Sequence, residues 1–93
     1  MMSAGAVEML VVQMVREMVN KGNTGEELQV SLFDHFWDDL RLDSVDIAQL
    51  LCDIEDDFKI SIPEVTAARL PNVRSLVAFV QEAVAAKQAQ ESV

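Results

Sequence analysis

With 93 residues, 51% hydrophobic and 25% charged, and a formal net charge of −9, the chain is long enough for one domain with a modest core and too short for two. The hydrophobic share excludes a disordered chain, and the negative charge disfavours nucleic acid and anionic membrane surfaces, leaving proteins or ligands with basic patches as charged partners. The one cysteine, Cys52, excludes an internal disulfide, and Glu8, Arg16 and Glu17 break the apolar residues near the N-terminus, so neither a secretory leader nor a membrane span is read and a reduced, cytoplasmic setting is expected.

From residue 3 to about residue 20, Val7, Leu10, Val11, Met14, Val15 and Met18 recur at helical spacing, predicting a first helix. Lys21, Gly22 and Asn23 are residue types that end helices. Residues 24–43 keep no single period, yet include Leu28, Val30, Leu32, Phe33, Phe36, Trp37 and Leu40. So apolar a connection must pack on something, and the expectation is an ordered crossover, with Thr24 and Glu27 a weak capping-box signal for a short turn. Asp43 or Ser44 then suits an N-cap, with Asp46 adding a carboxylate to the first turn. The stripe Ile47, Leu50, Leu51, Ile54 and Phe58 predicts a helix ending near Phe58 or Lys59, with Val45, Ala48 and Cys52 on its flank.

Ile60 and Ile62 alternate with Ser61, but no partner strand is evident and an extended loop is the better reading. Pro63 suits the start of a short third helix over 64–70, stopped by Pro71. Asn72 can cap a fourth, in which Val73, Leu76, Val77, Val80 and Val84 repeat at helical spacing to about Ala86, before a polar tail over 87–93 expected to fray. The whole is read as one all-α domain over 1–93: a small four-helix bundle of three longer helices and one short, with a long ordered loop between helices one and two.

Much chemistry is missing. No glycine follows Gly25, so no phosphate-cradling or dinucleotide loop can be built near residue 44, and the lone His35 and Cys52 do not make a zinc set. The acidic run has no glycine where an EF-hand loop turns, and no intrinsic metal site is expected. His35 and Ser44 leave a serine hydrolase open, though a small bundle has little room for a pocket and an oxyanion hole. Asp34, Asp38, Asp39, Asp43, Asp46, Asp53, Glu55, Asp56 and Asp57 crowd one third of the chain, as a solvated face or as a docking surface. Like charge near the C-terminal end of a helix opposes its dipole, which favours the docking reading because a basic partner would relieve it.

The segment Phe36-Trp37-Asp38-Asp39-Leu40-Arg41-Leu42-Asp43-Ser44-Val45-Asp46, followed by Glu55-Asp56-Asp57-Phe58 and Ile60-Ser61-Ile62-Pro63, resembles the acyl carrier protein family, with its Asp-Ser-Leu signature. The similarity continues through Val73 to Val80 and is weakest over residues 21–29. The resemblance implies a non-enzymatic carrier. Ser44 would be esterified with 4′-phosphopantetheine, taken from coenzyme A by a separate magnesium-dependent phosphopantetheinyl transferase, and Asp43 would contribute to that transferase's metal site. It further implies acyl thioesters on the arm, an apolar chain partly sheltered between helices, and a monomer. Partner enzymes that load, condense or transfer acyl groups in fatty-acid, lipid or polyketide-type synthesis would read Val45, Ala48 and Cys52 as apolar knobs, with Asp43, Asp46, Glu55 and Asp56 as acidic contacts.

Three departures from the family pattern stand out. Val45 replaces the usual leucine, Ala48 and Cys52 are smaller than the usual knobs, and Arg41 stands where glycine is common. If that position needs positive φ, arginine is strained; otherwise it places one positive charge in an acidic surface. Together they imply a specialised carrier. An aminoacyl or peptidyl carrier shares the fold and the serine, and an unmodified carrier-like module with Ser44 as a plain N-cap is the reading from another class.

Overall fold

The Ser3 hydroxyl accepts the Ala6 N–H at 3.2 Å and so starts the first helix, α1 (Ala4–Val19). The computed structural model describes residues 3–22, 25–63, 66 and 69–91. Val7, Val11 and Val15 are the buried stripe of α1, while Leu10, expected on that stripe, is 40% exposed at its edge. At the other end Asn20 is the C-cap, and Gly22 takes the left-handed conformation at φ 77°. The Asn20 side chain also fastens the crossover: its amide bonds the Arg16 and Leu28 carbonyls at 2.8 and 3.0 Å, and its oxygen accepts the Leu28 N–H at 2.7 Å.

The described part of the crossover, residues 25–43, consists of turns, bends and irregular backbone. Phe36 and Leu42 are buried in the core, and Val30, Leu32 and Leu40 pack against it, which is why so apolar a connection is ordered. Its backbone joins the start of the last helix. Phe36 N–H bonds the Pro71 carbonyl at 3.2 Å, Val73 N–H the Asp34 carbonyl at 3.1 Å and Arg74 N–H the Leu32 carbonyl at 2.8 Å. The expected Thr24–Glu27 cap lies outside the described residues at Thr24; Glu27 instead pairs with Arg16 at 3.4 Å, an exposed contact.

Helix α2 (Ser44–Phe58) buries Leu50, Ile54 and Phe58. Lys59 closes it in the left-handed conformation at φ 56°, and the irregular segment after it buries Ile62. The short helix expected over 64–70 rests on Glu64, Val65, Ala67 and Ala68, which lie outside the described residues; Thr66 has helical backbone, and its carbonyl accepts the Arg69 N–H at 2.9 Å.

Asn72 Oδ1 accepts the Ser75 N–H at 2.9 Å, and Ser75 Oγ accepts the Asn72 N–H at 3.4 Å, a reciprocal cap for α3 (Val73–Glu91). Its core face is the predicted set Val73, Leu76, Val77, Val80 and Val84. The helix continues past the expected end at Ala86 to Glu91, because the expected tail is rich in Ala, Gln and Lys, all good helix formers, and because Lys87 is tied down. Its Nζ donates to the Phe58 carbonyl at 3.4 Å. Helix α1 lies against both α2 and α3, and the described residues are all-helical with no strand; a single antiparallel bridge joins His35 to Asn72. No helix among them is long and apolar enough to cross a membrane.

Candidate functional site

Leu42 sets the entry to α2. Its side chain is buried and its N–H bonds the Phe36 carbonyl at 3.0 Å, so the chain reaches Asp43 at a fixed angle. Asp43 is extended, at φ −92° and ψ 179°, and its Oδ1 accepts the Asp46 N–H at 2.8 Å. Asp46 Oδ2 in turn accepts the Asp43 N–H at 3.3 Å, completing a capping box built from two aspartates. The N-cap is therefore Asp43. Ser44 is the first helical residue, and a role for it as a plain N-cap is overturned by this geometry.

The Ser44 side chain is exposed, and among the described residues its hydroxyl makes no hydrogen bond. Asp43 is also exposed, with its second carboxylate oxygen left open by the cap. The first-turn N–H groups of Ser44 and Val45 point out of the helix start unbonded among the described residues, at the positive end of the dipole. A free hydroxyl beside open N–H groups fits a phosphodiester, because the site offers both the attachment atom and donors for the phosphate oxygens.

Arg41, three residues before the serine, takes φ 55°, so the position does require the left-handed region where glycine is favoured. Its side chain is exposed beside the capped helix start.

Along α2, Val45 is 74% exposed, and Ala48 and Cys52 are exposed with it, forming a shallow apolar strip away from the core stripe of Leu50, Ile54 and Phe58. Asp56 is exposed further along. The other expected acidic contacts are engaged at home: Asp46 in the capping box, and Glu55 through Oε2, which accepts the Ile62 N–H at 3.2 Å. Glu55 thus holds the segment leaving α2. The last turn of α2 contains no base of its own, but the Lys87 ammonium reaches its final carbonyl from α3 and supplies a cation there. This relief of the helix dipole comes from within the molecule, across 29 residues of sequence, and no local pattern announces it.

Beside the helix start lies an apolar cleft of about 50 Å³ lined by Phe36, Trp37, Ile47, Leu50, Leu51, Leu70 and Leu76. Ile47 is one turn beyond Ser44, so the mouth of the cleft adjoins the serine's end of the helix. His35 is committed elsewhere: its Nδ1 accepts the Trp37 and Asp38 N–H groups at 3.2 and 3.4 Å, and no hydrogen bond links it to Ser44 among the described residues.

A helical domain that presents a bare serine, one residue past an aspartate cap, next to an apolar cleft is built as a carrier domain. The family model described as a phosphopantetheine attachment site matches residues 10–80. An acyl carrier protein of Cyanidium caldarium is 33% identical over 70 residues, covering 75% of this chain and 81% of its own length. Acyl carrier proteins of Rickettsia typhi and Rickettsia prowazekii are each 28% identical over 82 residues, covering 88% of this chain and 91% of their own lengths. The chain belongs to the acyl carrier protein family, and its cofactor is 4′-phosphopantetheine.

Proposed function

We infer that this protein carries acyl groups on a phosphopantetheine arm esterified to Ser44 and presents them to enzymes of fatty-acid, lipid or polyketide-type synthesis. The observation that carries the inference is the exposed hydroxyl, unbonded among the described residues, at the first residue of α2, immediately after the Asp43 cap. When bound, the group supplies a terminal thiol that holds the cargo as a thioester. The chain's own residues offer the attachment atom, place it at a rigid helix end and hold open N–H groups beside it. The exposure of Asp43, with one oxygen left open by the cap, supports its meeting the transferase and its metal.

Val45, Ala48 and Cys52 form the contact strip, with Asp56 as its freest acidic neighbour, and Arg41 modifies that surface with one positive charge. Such charges mainly orient encounters with basic partner enzymes, so docking weakens as salt rises. The small knobs and Arg41 support a specialised partner set.

The test is intact mass after incubation with coenzyme A, magnesium and a broad-specificity phosphopantetheinyl transferase. A gain of one phosphopantetheine is expected; its absence from folded protein overturns the assignment.

A further inference from the structure

The walls of the cleft beside α2 differ in how firmly they are held. Leu50 and Leu76 are 1% and 0% exposed and Phe36 is 4% exposed, so apart from the side that faces the cleft each is held in the core. Ile47 and Leu51 are fixed to the rigid α2. Trp37 is different: it stands on a turn of the crossover and is 50% exposed, with one part of the indole on the cleft and the rest in solvent. Its backbone is held by the bond from its N–H to His35 Nδ1, but among the described residues the ring has no hydrogen-bond partner. Shortening this side chain therefore changes the size of the cleft while leaving that backbone bond and the core packing in place.

The space available is small. About 50 Å³ holds roughly three to five groups the size of a water molecule, which is the bulk of a short acyl chain. Among the described residues only apolar side chains line it and none is charged, so a charged cargo finds no ionic partner there.

We propose that Trp37 determines cargo size in this carrier: its indole is the half-exposed wall of the cleft and confines the sheltered cargo to short, uncharged acyl groups. This rests on the carrier reading of Ser44, since the cargo reaches the cleft on the arm attached there. Chains of up to about five carbons are covered with the ring in place; longer chains leave their ends in solvent because the ring blocks further entry.

Trp37 is the only tryptophan, so its fluorescence reports on the cleft directly. The experiment loads the full-length protein from acetyl-, butyryl-, hexanoyl-, octanoyl- and dodecanoyl-coenzyme A with a broad-specificity transferase, verifies each product by intact mass, and records tryptophan emission, acrylamide quenching and melting temperature. In the unaltered protein, emission is expected to move to the blue and quenching to fall between acetyl and butyryl or hexanoyl, with melting temperature levelling off beyond hexanoyl. In Trp37→Leu, melting temperature is expected to keep rising through octanoyl. Correct masses with constant emission and quenching across the series overturn the proposal, as does the same chain-length profile in both proteins. Should Trp37→Leu fail to fold, the emission series on the unaltered protein still decides. Absence of any mass gain overturns the carrier reading itself, and the cargo proposal falls with it.

Discussion

Asp43 and Asp46 cap the same helix by exchanging bonds, each carboxylate accepting the other's backbone N–H, at 2.8 and 3.3 Å. The pair therefore has a structural duty separate from any role of Asp43 in recognition, and two substitutions separate the duties. Asp43→Ala removes the cap and is expected to cost about 1 kcal/mol in urea unfolding. Asp43→Asn retains a good capping oxygen and is expected to stay within about 0.5 kcal/mol of the parent, because Asn caps nearly as well as Asp. Phosphopantetheine transfer should be slow in both. Parent-like transfer to Asp43→Asn would show that the carboxylate charge is not what the transferase reads.

Ser44 is the first helical residue rather than the cap, so Ser44→Ala has little to lose structurally. The stability change is expected within about 0.5 kcal/mol, as for exposed positions with no special contact. The mass gain should vanish completely. Modification that survives the substitution would place the attachment on another residue.

Arg41 holds φ 55° with a β-carbon, a conformation that costs about 1–2 kcal/mol outside glycine. Arg41→Gly relieves this at the expense of a more flexible unfolded chain, and a net gain of about 0.5–1 kcal/mol is expected. It also deletes one of only seven Lys and Arg side chains, from an exposed position beside the serine. Unfolding midpoints test the first effect and transferase kinetics at low salt test the second. A destabilised Arg41→Gly would mean that the arginine side chain contributes contacts that outweigh its backbone strain.

The three long helices were legible because each writes its core stripe at helical spacing and carries an end signal: Lys21 and Gly22 after the first, the aspartates at 43 and 46, Asn72; the Ser3 cap of α1 emerged only in the structure. The α3 stripe of Val73, Leu76, Val77, Val80 and Val84 is buried as predicted, since periodicity records which side of a helix faces inward. Long-range bonds leave no such record. Asn20 fastening Leu28, Glu55 meeting Ile62 and Lys87 reaching Phe58 are set by how elements approach in space. The exposed strip at Val45, Ala48 and Cys52 was readable as a helix flank, whereas the cleft was not, because Trp37 and Leu70 join it from segments without periodicity. Position in the acidic run also hid the difference between Glu55 and Asp56.

That difference yields the last prediction. Glu55 Oε2 accepts the N–H of Ile62, whose side chain is buried, while Asp56 is exposed and takes no such bond. Glu55→Ala leaves a partly buried N–H without its acceptor and is expected to cost about 1–2 kcal/mol, with Glu55→Gln recovering most of it by restoring an oxygen. Transferase KM should change little in either variant under conditions where both are folded. Asp56→Lys should do the reverse: stability within about 0.5 kcal/mol of the parent, and a several-fold higher KM at low salt that converges on the parent value as salt screens the surface. The decisive comparison is the pair of KM ratios measured at low and high salt. If Glu55→Gln raises KM as much as Asp56→Lys does, with the same salt dependence, then the Glu55 charge faces partners despite its bond to Ile62, and α2 docks through a wider acidic face than its exposed residues define.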